Sequence, residues 1–172
     1  MGDINMSIIK SKEKNRCCIC GTPTNIIEIN YEAPFCSEIC IRKMDVMSAC
    51  PKLLRLPIKK KWFGMCLSGE KKQEYREIKD YYTTRFSNIL KISSDFLKSA
   101  DRNWKSRPIY IEFVNGYAAN SPSFIAECRL CVDIGKKEWG AEKGSKYYVL
   151  EIDRILWKSI DGMSGYLLSE EL

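Results

Sequence analysis

Four cysteines near the N-terminus constrain this chain more than any other feature. They read Cys17-x-x-Cys20, then fifteen residues, then Cys36-x-x-x-Cys40. Zinc takes four thiolates tetrahedrally in closed structural sites, at about 2.3 Å each. A Cys-x-x-Cys turn followed by Gly21 lets two sulfurs converge on one ion. Cys36 and Cys40 are four apart, so on a helix they share a face. Residues 16–43 are thus expected to form a knuckle, an extended stretch from Ile26 to Tyr31, and a helix that starts near Phe35–Glu38. Cys18 stands beside Cys17 and competes for the first ligand position, although Cys17 has the better spacing to Cys20. So short a unit cannot fold on apolar burial alone, and a bound metal would supply its folding energy. Four thiolates leave no open position for water, which makes this one structural zinc site. Cys128-x-x-Cys131 is not read as a second site, because residues three apart on a strand point to opposite faces.

The rest of the composition narrows the setting. The chain has 172 residues, 45% of them apolar, enough for one full domain and a small appendage. No stretch approaches the roughly 18 apolar residues of a membrane span, and the polar start MGDINMSIIKSKEKNR does not resemble a secretory signal. Nine cysteines in such a chain read as thiols and metal ligands, with a cytoplasmic location and no membrane partner. There is no histidine. Any metal site must therefore rest on cysteine, with carboxylate as the one other donor type at hand, and acid–base chemistry must use Lys, Glu, Asp, Tyr or Cys. A net charge of +6 permits a polyanionic partner without requiring one.

Five segments are expected: a flexible arm (1–15), the four-cysteine finger (16–43), a connector (44–56), an α+β domain (57–160) and a tail (161–172). Within the domain, Ile58, Trp62, Met65 and Cys66 recur at helical spacing, and Gly69 is a natural stop. A strand follows at 72–77. An amphipathic helix is expected over 93–105, with Ile92, Phe96, Leu97 and Ala100 on one side. Ile109, Ile111 and Phe113 alternate in a strand ended by Asn115-Gly116. The clearest strand is 123–134, with Phe124, Ala126, Cys128, Leu130, Val132 and Ile134 on one face. A last strand runs from Tyr147 to Ile152. Strands with few helices, too irregular for βαβ units, suggest a small curved sheet or barrel.

The chemistry concentrates in SGEKKQEYREI (68–78). Alternation puts Lys72, Glu74 and Arg76 on one strand face. Three charges there fit either a solvated face with internal ion pairs or a binding cleft. Lys71 and Arg76 can neutralise phosphate, and Glu74 can accept from an exocyclic amine. Tyr75, Tyr117, Trp139 and Tyr147 are available either to stack bases or to pack. The run Lys59-Lys60-Lys61 can guide a phosphate backbone or simply be the exposed face of a helix.

These residues carry two resemblances. CxxCG…FCSxxC resembles FCS-type fingers of treble-clef form. Gly69, Lys71, Glu74 and Arg76 resemble the GxKxxExR-type signature of ASCH domains, and Asn115-Gly116-Tyr117, SFIAECRLCVDIG and KYYVLEIDRIL resemble the family's later strands over about 57–157. PIKKKWFGM is similar to ASCH proteins of bacteria and phages. The resemblance implies a PUA-like fold, a small β-barrel with flanking helices, that binds RNA, single-stranded nucleic acid or a modified nucleotide. It places Lys71, Glu74 and Arg76 at the ligand, and Lys72 and Tyr117 are further nucleic-acid-binding candidates. Some ASCH proteins deacetylate N4-acetylcytidine with a Lys, a Thr three residues on and a distant Glu. Here Lys71 matches, but Glu74 holds the Thr position, so a binder is expected rather than an enzyme. Two alternatives stay open. One is an enzyme, an N4-acetylcytidine amidohydrolase or a ribonuclease, using Lys71 and Glu74. The other is a protein-interaction or phage regulatory module, with a protein partner recruited by the finger.

Overall fold

A computed structural model describes residues 7–50 and 52–159. The expected tail, 161–172, lies outside the described residues, as does the start of the expected arm. The chain divides into two compact units, and both are discontinuous in sequence. The first takes residues 7–50, 116–123 and 157–159 of those described; the second is Lys52–Asn115 with Phe124–Leu156.

The first unit is built on a three-stranded sheet in the order β1-β2-β3, with β1 at Ile8–Arg16, β2 at Pro23–Glu28 and β3 at Ala33–Pro34. Residues 8–16, expected as part of a flexible arm, are instead the strand β1, antiparallel to β2. The hydrophobic pattern gave no hint of this. β1 is nearly all exposed, and its place is set by the backbone ladder, with a register irregularity between Lys10 and Asn15. Helix α1 (Glu38–Ala49) follows and buries Ile39, Cys40 and Ile41. Phe35 is wholly enclosed. Lys43 on α1 is buried too, its ammonium 4.8 Å from the Trp157 ring.

The second unit is α+β, with a curled five-stranded sheet in the order β4-β6-β7-β8-β5. The strands are β4 (Leu53–Pro57), β5 (Gln73–Glu77), β6 (Ile109–Val114), β7 (Ser123–Ile134, all but its first residue in this unit) and β8 (Lys146–Ser159, as far as Leu156). β4 runs parallel to β6, so the chain between them must cross over. That crossover holds three helices, α2 (Lys60–Leu67), α3 (Asp80–Leu90) and α4 (Ser94–Ser99), and sends β5 to the far edge, antiparallel to β8. The core lies inside the curl. Leu56, Phe63, Phe86, Leu97, Ile111, Phe113, Phe124, Leu130 and Leu150 form it with their neighbours.

In the second unit most of the expected elements are present, and its helices differ most from the expectation. The helix expected over 93–105 is the short α4, capped by the Ser93 hydroxyl and ended at Ala100. Helix α3 was not expected. Its buried face mixes Phe86, Ile89 and Leu90 with Thr83 and Ser87, so hydroxyl residues break the apolar stripe that would have marked it. The Thr83 hydroxyl meets the Tyr148 phenol at 2.7 Å, which satisfies both inside the core. On β7 the expected core face holds from Phe124 to Val132, whereas Ile134, at the strand's end, is exposed.

Candidate functional site

Two clusters of chemically capable side chains stand out, one in each unit. In the first, the sulfur atoms of Cys17, Cys20, Cys36 and Cys40 all lie within 4.8 Å of one another. The knuckle is closed by Cys17 N–H donating to the Thr22 carbonyl and Gly21 N–H donating to the Cys17 carbonyl. Cys36 precedes Ser37, which stands at the N-cap of α1, and Cys40 is in the helix's first turn. Sulfur separations are 3.3 Å for Cys20–Cys36, 3.5 Å for Cys36–Cys40 and 3.8 Å for Cys20–Cys40. A tetrahedron with 2.3 Å metal–sulfur bonds has edges of about 3.8 Å, so this donor set fits a four-thiolate ion. Cys18 points outward and is exposed, which leaves Cys17 as the clustered neighbour. Cys128 and Cys131 take opposite sides of β7, Cys128 in the main core and Cys131 against Tyr75, Ala141 and Val149.

The second cluster begins where α2 ends. Gly69 adopts φ +76, a left-handed conformation that glycine takes without steric cost, and Lys71 N–H donates back to the Met65 carbonyl. This turn brings the Lys71 side chain alongside the start of β5. Lys71 is 1% exposed, Glu74 5% and Arg76 7%. Lys71 Nζ donates to Glu74 Oε2 at 2.7 Å and to the Trp139 carbonyl at 3.1 Å. Its ammonium also lies 4.9 Å from the Trp62 ring and 4.7 Å from the Tyr75 ring. Arg76 Nη1 donates to Glu74 Oε1 at 2.5 Å and to the Tyr75 carbonyl, while Nη2 donates to the Pro57 carbonyl at 2.7 Å. Arg76 Nε is enclosed and makes no hydrogen bond.

Two cations thus share one carboxylate in a buried setting, with one donor unspent. The arginine also links β5 to the end of β4, the two edges of the curled sheet. Charge burial of this kind persists only where each ion has partners. Cys66 on α2 senses all three charges. Burial, then Glu74, pushes its thiol up to about 12, so it stays protonated at neutral pH. Burial first, with Glu138, Glu74 and Asp133 adding to it, likewise raises the Tyr75 phenol, which donates to Gln73 and accepts from Lys136 N–H.

Of the residues expected at the ligand, Lys71, Glu74 and Arg76 come together. Lys72 does not: it is exposed and precedes β5, which starts at Gln73, so strand alternation does not place it with Glu74. Tyr117 is 98% exposed and belongs to the first unit. Tyr75 and Tyr147 pack on each other with centroids 5.7 Å apart, and Trp139 is half-buried beneath Lys136. Lys59, Lys60 and Lys61 are exposed, and Lys61 lies over the outer surface of Trp62 at 4.5 Å.

Sequence reasoning set Trp62 on a helix face but not beside Lys71, and missed Gly140. Gly140 has φ +91, and a Cβ there would come within 2.6 Å of the Trp62 ring. That glycine makes room for one wall of the lysine's aromatic enclosure. Its position directly after Trp139 in the chain offered a turn signal but no hint of a partner on α2. Among the described residues, no helix is long and apolar enough to cross a membrane. Comparison with protein families, curated proteins and solved structures found no match for this chain.

Proposed function

We propose that the second unit binds RNA or another single-stranded nucleic acid, or a modified nucleotide, at Lys71, Glu74 and Arg76. The observation that carries this reading is the buried triad itself, two cations on one carboxylate with Arg76 Nε unspent. An anionic or carbonyl-bearing ligand would balance the extra cation and take that donor. The resemblance of these residues to the ASCH signature, and a curled sheet that suits a PUA-like barrel, support the same conclusion. Binding is favoured over amide hydrolysis because the position of the family's nucleophilic hydroxyl is Glu74, already committed to Lys71 and Arg76. In this reading the first unit holds one structural zinc through Cys17, Cys20, Cys36 and Cys40. The finger then adds nucleic-acid surface or recruits a protein, and the nine thiols suit a reducing cytoplasm.

The test is equilibrium binding of zinc-loaded protein to short single-stranded RNAs, DNAs and modified nucleosides at two salt concentrations, with mass spectrometry of the products. Affinity for oligonucleotides should fall with salt while the ligand stays intact. Arg76→Lys keeps the charge but removes the unspent Nε donor, and should weaken binding by roughly 10- to 150-fold, the range of one hydrogen bond to a charged group. Circular dichroism controls for folding. Conversion of N4-acetylcytidine or cleavage of RNA would replace this reading with an enzymatic one. Absence of binding across the panel would leave the protein-interaction alternative.

A further inference from the structure

Next to the triad runs a row of side chains that the ion pair itself does not require. The Arg76 guanidinium lies 5.8 Å from the Tyr82 ring. Tyr82 meets Tyr81 edge-on, with centroids 5.0 Å apart and planes at 79°. Tyr81 in turn lies 5.1 Å from the Arg85 guanidinium. Arg85 Nη1 donates to the Tyr81 phenol oxygen at 2.6 Å, and Nη2 donates to the Arg55 carbonyl on β4 at 2.8 Å. Arg85 Nε is enclosed without a hydrogen-bond partner.

The helix geometry explains why these groups face out together. Thr83, Phe86, Ser87 and Leu90 anchor the inner side of α3. Tyr81 and Arg85, four residues apart, fall on the opposite side, one turn above the other. Tyr81 is 59% exposed, yet its ring is held by a guanidinium on one side, by an aromatic edge and by its own hydroxyl. An exposed tyrosine is ordinarily free to change rotamer on the picosecond-to-nanosecond scale. Fixing one in this way costs side-chain entropy, and it pre-orders a flat apolar surface with a cation beside it.

We propose that Tyr81 and Arg85 form a second nucleotide subsite, continuous with the triad, for a single-stranded nucleic acid. Tyr81 stacks a base, and the Arg85 guanidinium faces the backbone phosphates. The proposal rests on the reading that the triad binds a nucleotide. It favours a nucleic-acid strand because aromatic faces alternating with arginine forks match bases alternating with phosphates. An acidic peptide would use the cations and leave the ring unused, and an apolar peptide would be opposed by them.

The experiment compares cytidine 5′-monophosphate with a single-stranded RNA hexamer, using wild type, Tyr81→Ala and Tyr81→Phe, each checked by circular dichroism. The wild type should bind the hexamer more tightly than the monophosphate. Tyr81→Ala should weaken hexamer binding by roughly 5- to 150-fold, the range of one base–aromatic stack, and leave the monophosphate unchanged. Tyr81→Phe should keep most of the hexamer affinity. Monophosphate binding by the wild type together with equal hexamer affinity in wild type and Tyr81→Ala would overturn the subsite and leave the triad reading intact. Failure of the wild type to bind either ligand would overturn both. Binding of a glutamate-rich peptide that depends on Arg85, with no hexamer binding, would assign the row to a protein partner instead.

Discussion

Glu74 holds Lys71 and Arg76 on the inner side of an edge strand, where a carboxylate without partners would not stay charged. Removing it leaves two buried cations with no counter-ion. Glu74→Ala should therefore cost about 3–5 kcal/mol of stability, the range for breaking a buried pair by deleting one member. Lys72→Ala, at the exposed neighbour, should stay within about 0.5 kcal/mol of wild type. Urea denaturation of both variants tests the contrast, and a Glu74→Ala midpoint as high as that of Lys72→Ala would mean the triad is solvated after all. The sequence made Glu74 and Arg76 legible as a pair because both lie on β5, where alternation applies. It misplaced Lys72 and undervalued the burial of Lys71 because both precede the strand, and a turn, not the pleat, sets where they point. The four-cysteine cluster was legible for a different reason: a metal site limits the spacing of donors on knuckle and helix, and that spacing is what the four sulfurs share. Trp62 and Gly140 meet across seventy-odd residues of chain, a contact that no local pattern encodes.

Edges explain much of what the elements do. In the five-stranded sheet β4 and β5 are the two outer strands. Arg76 and Arg85 both donate to β4 carbonyls, those of Pro57 and Arg55, two residues apart and hence on the same side of the strand. Guanidinium groups thus take acceptors that an exposed edge would offer to another chain. The helix that supplies Arg85 ends at Lys91, which adopts φ 57 and ψ 46. A lysine in that left-handed conformation is strained relative to glycine, which has no Cβ to clash with the following carbonyl. Lys91→Gly should raise stability by about 1 kcal/mol, read as a higher thermal midpoint at unchanged far-ultraviolet dichroism. A lower midpoint would show that the Lys91 side chain contributes more than its backbone costs. The strands were readable because β6 and β7 repeat apolar residues at period two over a long enough run. Helix α3 was not, since Thr83 and Ser87 satisfy their hydroxyls inside the fold and so occupy positions where the pattern demands apolar residues.

The sequence suggested a finger followed by a domain, but compactness assigns Gly116–Ser123 and the end of β8 to the same unit as the cysteines. Such an assignment depends on contacts far apart in sequence, of which Lys43 over Trp157 is one, and no boundary signal in the chain marks it. It has a consequence for metal removal. The proposed structural zinc would supply about 10–16 kcal/mol, the range for small finger peptides and comparable to the whole stability of a domain, so stripping it should unfold what the four thiols organise. The second unit has its own core from Leu56 to Leu150 and needs no metal to bury it. Hydrogen exchange followed by mass spectrometry, before and after a strong chelator, should show protection lost in β2, in α1 and over 116–123, and retained in β6 and through most of β7. Thiol labelling gives an independent reading. With metal bound, Cys18 should react quickly, because Cys50, Cys66, Cys128 and Cys131 are buried and the other four are ligands. After chelation Cys17, Cys20, Cys36 and Cys40 should join it. Uniform loss of protection would mean that the two units fold as one cooperative body. Unchanged protection and a single reactive thiol would mean that the cluster is held by packing and does not depend on an ion.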